Sequence, residues 1–91
     1  MNSTPKISVV IPVYNEEVII STLFERCIKA LEQVTSEFEI IAVNDGSNDQ
    51  SLPLLVECHA KDPRFKVLSL SRNFGHQAAF LAGLEYAKGE T

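Results

Sequence analysis

A chain of 91 residues has room for one domain; at that size about 60 to 65% of the unfolded surface is buried, which supports a modest core and excludes a second domain. With 45% hydrophobic and 22% charged residues, the chain is expected to pack rather than stay disordered. The formal net charge is −4 and the eight basic residues are scattered, so no footprint for a nucleic-acid partner is present.

The polar start, residues 1–6, leads into a short apolar run broken by Pro12, which is not the pattern of a signal peptide. No run of about 18 apolar residues follows, so no membrane span is expected from this chain. Residues 7–13, Ile-Ser-Val-Val-Ile-Pro-Val, are nearly all β-branched, the composition of a parallel strand covered on both faces. Pro12 has no N–H for a ladder, so pairing should end near it and a loop should begin.

Asn15 suits a helix N-cap, and Glu16 and Glu17 suit the first turn of a helix dipole. Ile20, Leu23, Phe24, Cys27, Ile28, Leu31 and Val34 then recur at three- and four-residue steps as one apolar stripe. A second strand is predicted over residues 38–43, ending at the turn Asn44-Asp45-Gly46. Pro53 is tolerated only in the first turn of the helix that follows, so Asp49 or Ser51 is the expected cap and the helix should run to Lys61. Asp62-Pro63 stops it, residues 65–70 make a third strand, and residues 77–88 fit a third helix. In that helix Phe80, Leu81 and Leu84 are expected to face inward, with Gly89 at the C′ position.

Regular alternation of strand and helix implies right-handed crossovers and a parallel sheet with helices on both sides, a Rossmann-like three-layer α/β/α fold. Gly89-Glu90-Thr91 reads as the approach to a fourth strand, so the chain is expected to be a single partial domain with an exposed sheet edge, capable of self-association. Cys27 and Cys58 lack zinc or Cys-x-x-Cys spacing and read as small buried hydrophobes in a reducing, cytoplasmic setting. His59 reads as a packed or surface helix residue.

Three loops, residues 12–16, 44–49 and 71–76, follow three successive parallel strands and should open on one edge of the sheet, where ligands of such folds bind. Each has an ordinary structural explanation as a cap, a turn or a loop; together they suggest one site. Neither Gly-x-Gly-x-x-Gly nor a Walker A sequence is present, which excludes the Rossmann dehydrogenases and the P-loop NTPases. A carboxylate only accepts hydrogen bonds, so Asp45, beside the permissive Gly46, suits the ring N–H of uracil or guanine, and Glu16 suits a ribose hydroxyl. Tyr14 offers a ring to the base, and Arg72 or His76 can meet a phosphate. A receiver-like signalling domain is disfavoured because the first strand ends in Pro-Val-Tyr-Asn rather than in an acidic pocket.

Val-Val-Ile-Pro-Val-Tyr-Asn-Glu-Glu, Val-Asn-Asp-Gly-Ser-Asn-Asp and Ser-Arg-Asn-Phe-Gly-His-Gln-Ala-Ala-Phe-Leu-Ala-Gly-Leu, in this order, resemble the amino-terminal half of the catalytic domain of family 2 glycosyltransferases. The resemblance implies the nucleotide-binding half of a GT-A fold, with Pro12, Tyr14, Asn15 and Glu16 around the nucleoside, Asp45 and Gly46 at the base, and Arg72, Gly75 and His76 near the nucleotide. The third motif is similar to the branch that makes polyprenyl-phosphate sugars. That implies a UDP- or GDP-sugar donor, a lipid-phosphate acceptor and action at the cytoplasmic face of a membrane. A longer parent would use Mg²⁺ or Mn²⁺ held by an Asp-x-Asp motif absent from these residues, so no catalytic or metal-binding residue is assigned here. A polysaccharide-building member of the family, or a non-catalytic nucleotide-binding or interaction domain, is the alternative.

Overall fold

A computed structural model describes residues 7–89. Three parallel strands, β1 (Ile7–Val13), β2 (Phe38–Asn44) and β3 (Phe65–Ser69), alternate with three helices, α1 (Ile20–Glu32), α2 (Ser51–Lys61) and α3 (His76–Gly89). The sheet order is β1-β2-β3, with Ile7 opposite Phe38 and Ile40 opposite Phe65. This is the predicted three-layer α/β/α arrangement.

β2 is central, and all seven of its residues are buried. Its even-numbered residues, Phe38, Ile40 and Ala42, join Val13, Ile20, Phe24, Leu55, Cys58 and Phe65 in the main core, on the face covered by α1 and α2. Phe24 meets Phe65 edge-on with ring centroids 5.2 Å apart, a favoured aromatic geometry. Ile41 and Val43 point to the opposite face and pack with Ala79 of α3. Glu39, on that same face, is buried but satisfied: Ser8 Oγ donates to it at 2.6 Å and Lys66 Nζ at 3.0 Å, a polar ladder across all three strands.

Four helix expectations are corrected. Asn15 is not the cap of α1, which begins at Ile20 with Ile19 in the cap position and no acidic residue in its first turn. The backbone before it is held elsewhere, as described below. Val34 lies beyond the end of α1 and is exposed, so the apolar stripe stops at Leu31. In α2 the cap position is Gln50, although Asp49 Oδ1 accepts the Ser51 N–H at 2.9 Å and Pro53 lies in the first turn as predicted. In α3 the inward residues are Ala79, Gly83 and Ala87, while Phe80, Leu81 and Leu84 are exposed. A Cβ at Gly83 would sit 2.4 Å from Val10 Cγ1 and 3.0 Å from Val43 Cγ2, so the helix lies against the sheet at a separation that only small side chains permit.

Other boundaries differ slightly: β2 includes Asn44, β3 stops at Ser69, and α3 includes both His76 and Gly89. The polar start at residues 1–6 and the last two residues of the expected approach to a fourth strand lie outside the described residues. Among the described residues, no helix is long and apolar enough to cross a membrane. Cys58 is buried, Cys27 packs against the same core, and burial raises both thiols above their ordinary values.

Candidate functional site

All three strands end at the same edge, and the parallel ladders continue into the loops. Asp45 N–H donates to Val13 O at 2.8 Å, and Leu70 N–H donates to Asn44 O at 2.9 Å. Asn44 adds side-chain links: its Nδ2 donates to Ser69 Oγ at 3.1 Å and its Oδ1 accepts from Ser47 N–H at 3.2 Å.

The first two loops are laced reciprocally. Asn15, with φ +50°, donates its N–H to Ser47 Oγ at 3.0 Å and accepts the Asn48 N–H on Oδ1 at 2.7 Å. Glu16 N–H donates to the fully buried Ser51 Oγ at 2.9 Å. Glu17 N–H donates to Asp49 Oδ2 at 3.2 Å, and Glu17 Oε1 accepts from Gln50 N–H at 2.7 Å. These bonds tie the first loop to the second through the N–H groups of residues 15–17, and α1 begins only at Ile20. Burial works to raise the Asp49 carboxyl, but hydrogen bonds from Ser51 and Glu17 outweigh it and hold the group below the usual carboxylate range.

Asp45 ties the second loop to the third. The residue is 1% exposed; its Oδ1 accepts from Phe74 N–H at 2.8 Å and Oδ2 from Gly75 N–H at 3.0 Å. Asn73 Oδ1 shares the Gly75 N–H at 2.8 Å. Gly46, at φ +70°, lies directly under the third loop: a Cβ there would be 2.4 Å from both Arg72 C and Asn73 N. The Arg72 guanidinium stacks on the Phe74 ring, 4.7 Å from its centroid, and both side chains are exposed.

The structure thus joins the loops that carry Asn15, Glu16, Asp45 and Gly75 by hydrogen bonds, and seats Gly46 against the Arg72–Asn73 backbone. Pro12 and His76 line an adjacent apolar groove of about 560 Å³ with Gln77, Phe80 and Leu81. Tyr14 is half-buried at the start of the first loop. A second groove, of about 580 Å³, lies along β3 between α2 and Tyr86, away from the three loops. Sequence reasoning missed Ser47, Asn48 and Ser51 as the residues that lock the loops. The cluster of small polar residues after a strand was a signal, but their partners lie 32 to 35 positions away. Among the described residues, no group of three or more His, Cys, Asp or Glu is arranged to hold a metal ion. Both oxygens of Asp45, and both of Asp49, already accept backbone N–H groups.

The family model described as Glycosyl transferase family 2 matches residues 8–91. Over 82 residues the chain is 46% identical to YkcC of Bacillus subtilis (strain 168), described as an uncharacterized glycosyltransferase, covering 90% of this chain and 25% of that protein. Over 87 residues it is 41% identical to the undecaprenyl-phosphate 4-deoxy-4-formamido-L-arabinose transferase of Photorhabdus laumondii subsp. laumondii, covering 93% of this chain and 26% of that one. It superposes with a TM-score of 0.68 on the mannosyltransferase PcManGT of Pyrobaculum calidifontis, solved with GDP-Man and Mn²⁺, at 18% identity and covering 93% of this chain and 25% of that one. The chain spans about a quarter of the length of the curated relatives it matches, and its fold is that of the GT-A glycosyltransferases. A family match that starts within β1 and runs through residue 91 takes in every element of the fold, and the chain belongs to glycosyl transferase family 2.

Proposed function

We propose that the chain is the nucleotide-binding part of a longer glycosyltransferase that moves a sugar from a UDP- or GDP-sugar to a polyprenyl phosphate at the cytoplasmic face of a membrane. The observation that carries this reading is the convergence of three strand-end loops, hydrogen-bonded to one another, on the ligand-binding edge of a parallel sheet. The polyprenyl acceptor is supported by the relative that acts on undecaprenyl phosphate, and a nucleotide-sugar donor is supported by the mannosyltransferase solved with GDP-Man.

In this reading Pro12, Tyr14, Asn15 and Glu16 border the nucleoside, with the side chain of Asn15 locking the second loop rather than reaching outward. Asp45 accepts the ring N–H of the base, beside Gly46. Arg72, Gly75 and His76 lie toward the diphosphate, where a guanidinium and exposed N–H groups at the start of α3 favour negative charge.

The reaction would be an inverting displacement. An acceptor phosphate oxygen forms the new bond to the anomeric carbon as the bond to the nucleotide diphosphate breaks, and the electron pair leaves with the diphosphate. A phosphate monoester has a second pKa of about 6 and is already largely dianionic near neutrality, so the acceptor needs no strong general base. Among the described residues no group of acidic, histidine or cysteine side chains forms a site for Mg²⁺ or Mn²⁺. The chain by itself is therefore expected to bind nucleotide without transferring sugar.

An NMR titration with UDP, GDP and NAD, following the amides of Tyr14, Glu16, Asp45 and Gly75, tests the reading. Shifts in all three loops with one of UDP or GDP, and none with NAD, are expected. A folded sample that responds to no nucleotide contradicts it.

A further inference from the structure

The carboxylate assigned above to the base is already occupied. Phe74 and Gly75 present two adjacent N–H groups to its two oxygens, at 2.8 and 3.0 Å, and Asp45 as a whole is 1% exposed. An ionised carboxylate has about four lone-pair sites, so two hydrogen bonds alone do not saturate it. The same segment also covers the neighbouring turn, with the Arg72–Asn73 peptide seated on Gly46.

We propose that residues 71–75 form a latch over the base site: the Phe74 and Gly75 N–H groups stand where a base presents its ring N–H, and a nucleotide that reaches Asp45 displaces them. The inference rests on the reading of Asp45 as the base acceptor.

Three features suit a displaceable segment. Its ends are fixed, by Leu70 N–H on Asn44 O and by the fully buried Ala79, whose N–H donates to Gly75 O at 3.0 Å. Between them every residue is exposed, and Gly75, at φ +95°, has no heavy atom within 4 Å of its Cβ position, so the backbone has room to turn there. Release also leaves no orphan at Gly75, because Asn73 Oδ1 remains as its acceptor. Opening takes two backbone donors from a charged acceptor, water meets those donors on the exposed segment, and the base returns a ring N–H to the acceptor, so the net free energy is smaller than the sum of the hydrogen bonds broken. Because Arg72 stacks on Phe74, the guanidinium travels with the latch, which couples base recognition to the cation proposed to face the diphosphate. The apparent affinity for nucleotide is then the intrinsic affinity scaled by the open fraction.

Amide hydrogen exchange on the chain, with and without saturating UDP or GDP, tests this. Phe74 should lose about tenfold or more of its protection on nucleotide binding, the size expected for loss of a charge-assisted hydrogen bond, while the Asp45 N–H bonded to Val13 O keeps its protection. Nucleotide-induced shifts at Tyr14 and Glu16 with Phe74 protection unchanged or increased overturn the latch and leave the nucleotide reading standing. No response at any of the three loops overturns both. In the free chain, Asp45→Asn should lower Phe74 and Gly75 protection while Ile41 in the central strand stays protected; unaltered protection in that variant shows that the carboxylate does not hold the segment.

Discussion

Gly46 is fixed by two independent constraints, a positive φ of +70° and the closeness of the Arg72–Asn73 peptide to its Cβ position. Alanine there is strained at that φ and its Cβ meets backbone, which cannot rotate aside as a side-chain tip does. Gly46→Ala is expected to lower stability by about 1–3 kcal/mol and to displace the third loop, checked by urea denaturation and by the amide shifts of Phe74 and Gly75. Asn15 also has a positive φ, which asparagine tolerates better than most residues, and its Oδ1 is the acceptor for Asn48. Asn15→Ala should cost about 1–2 kcal/mol and loosen Ser47 and Asn48, whereas Asn15→Gly keeps the conformation and should cost less. The residue types of this site were legible in the sequence, since Asn15, Asp45, Gly46 and Gly75 are turn formers. Their partners were not. Asn15 fits the local spelling of a cap, and only the parallel register, which sets the end of β1 beside the end of β2, reveals that it serves Ser47 and Asn48 instead.

The strands were readable from their apolar runs, but the expected burial of the first strand on both faces is corrected: only β2 is buried throughout, while β1 and β3 each pair on one side only and are partly exposed. The orientation of α3 was not readable. Phe80, Leu81 and Leu84 form one stripe at helical spacing and Ala79, Gly83 and Ala87 form another, and hydrophobicity alone favours the larger set. Close packing on Val10 and Val43 selects the smaller. Gly83→Val should therefore overpack this contact and destabilise the chain by about 1–3 kcal/mol, against the gain a more hydrophobic residue would bring on a freely exposed face. The corner between α2 and β3 supplies a pH-dependent counterpart. Arg64 donates to Asp62 from its backbone N–H, Nε and Nη2, reaches Ser36 O and Glu32, and lies over the Phe38 ring at 4.1 Å. Hydrogen bonds from Arg64 hold the Asp62 carboxyl below its ordinary range against the opposing effect of burial, and the same contacts raise the guanidinium further. A carboxyl depressed in the folded state contributes stability that is fully present above its unfolded value of about 3.9 and is lost as pH falls through the folded value. Asp49 acts in the same direction. Urea midpoints measured from about pH 6 downward should fall more steeply below about pH 4 in the wild-type chain than in Asp62→Asn; equal slopes would place the acid sensitivity elsewhere.

At the scale of the whole molecule, the convergence of the three loops was legible because topology alone sends successive parallel strands to one edge, and it needs no side-chain detail. What the chain leaves uncovered was only half legible, since the inward assignment of Phe80 and Leu81 concealed an apolar surface. In the folded chain Phe80 is 44% and Leu81 60% exposed, Phe74 is exposed in the loop that precedes the same helix, and Pro12 and His76 line a groove with Phe80 and Leu81. Among the described residues, β1 and β3 each pair with a single neighbour, so both edges also present unpaired backbone groups. A net charge of −4 opposes association only weakly at physiological salt, where the screening length is about 8 Å. The chain is accordingly expected to self-associate, with a sedimentation coefficient that rises with concentration. The two possible causes respond differently to one substitution. Leu81 does not pack in either core cluster, so Leu81→Lys should change stability by no more than about 0.5 kcal/mol while placing a charge in the centre of the apolar surface. Reduced association in that variant assigns the contact to the α3 face, and undiminished association assigns it to the sheet edges, where backbone pairing is indifferent to that side chain. A chain that stays monomeric across the whole concentration range contradicts both, because neither an apolar helix face nor an unpaired strand edge loses its attraction on dilution; only its occupancy changes.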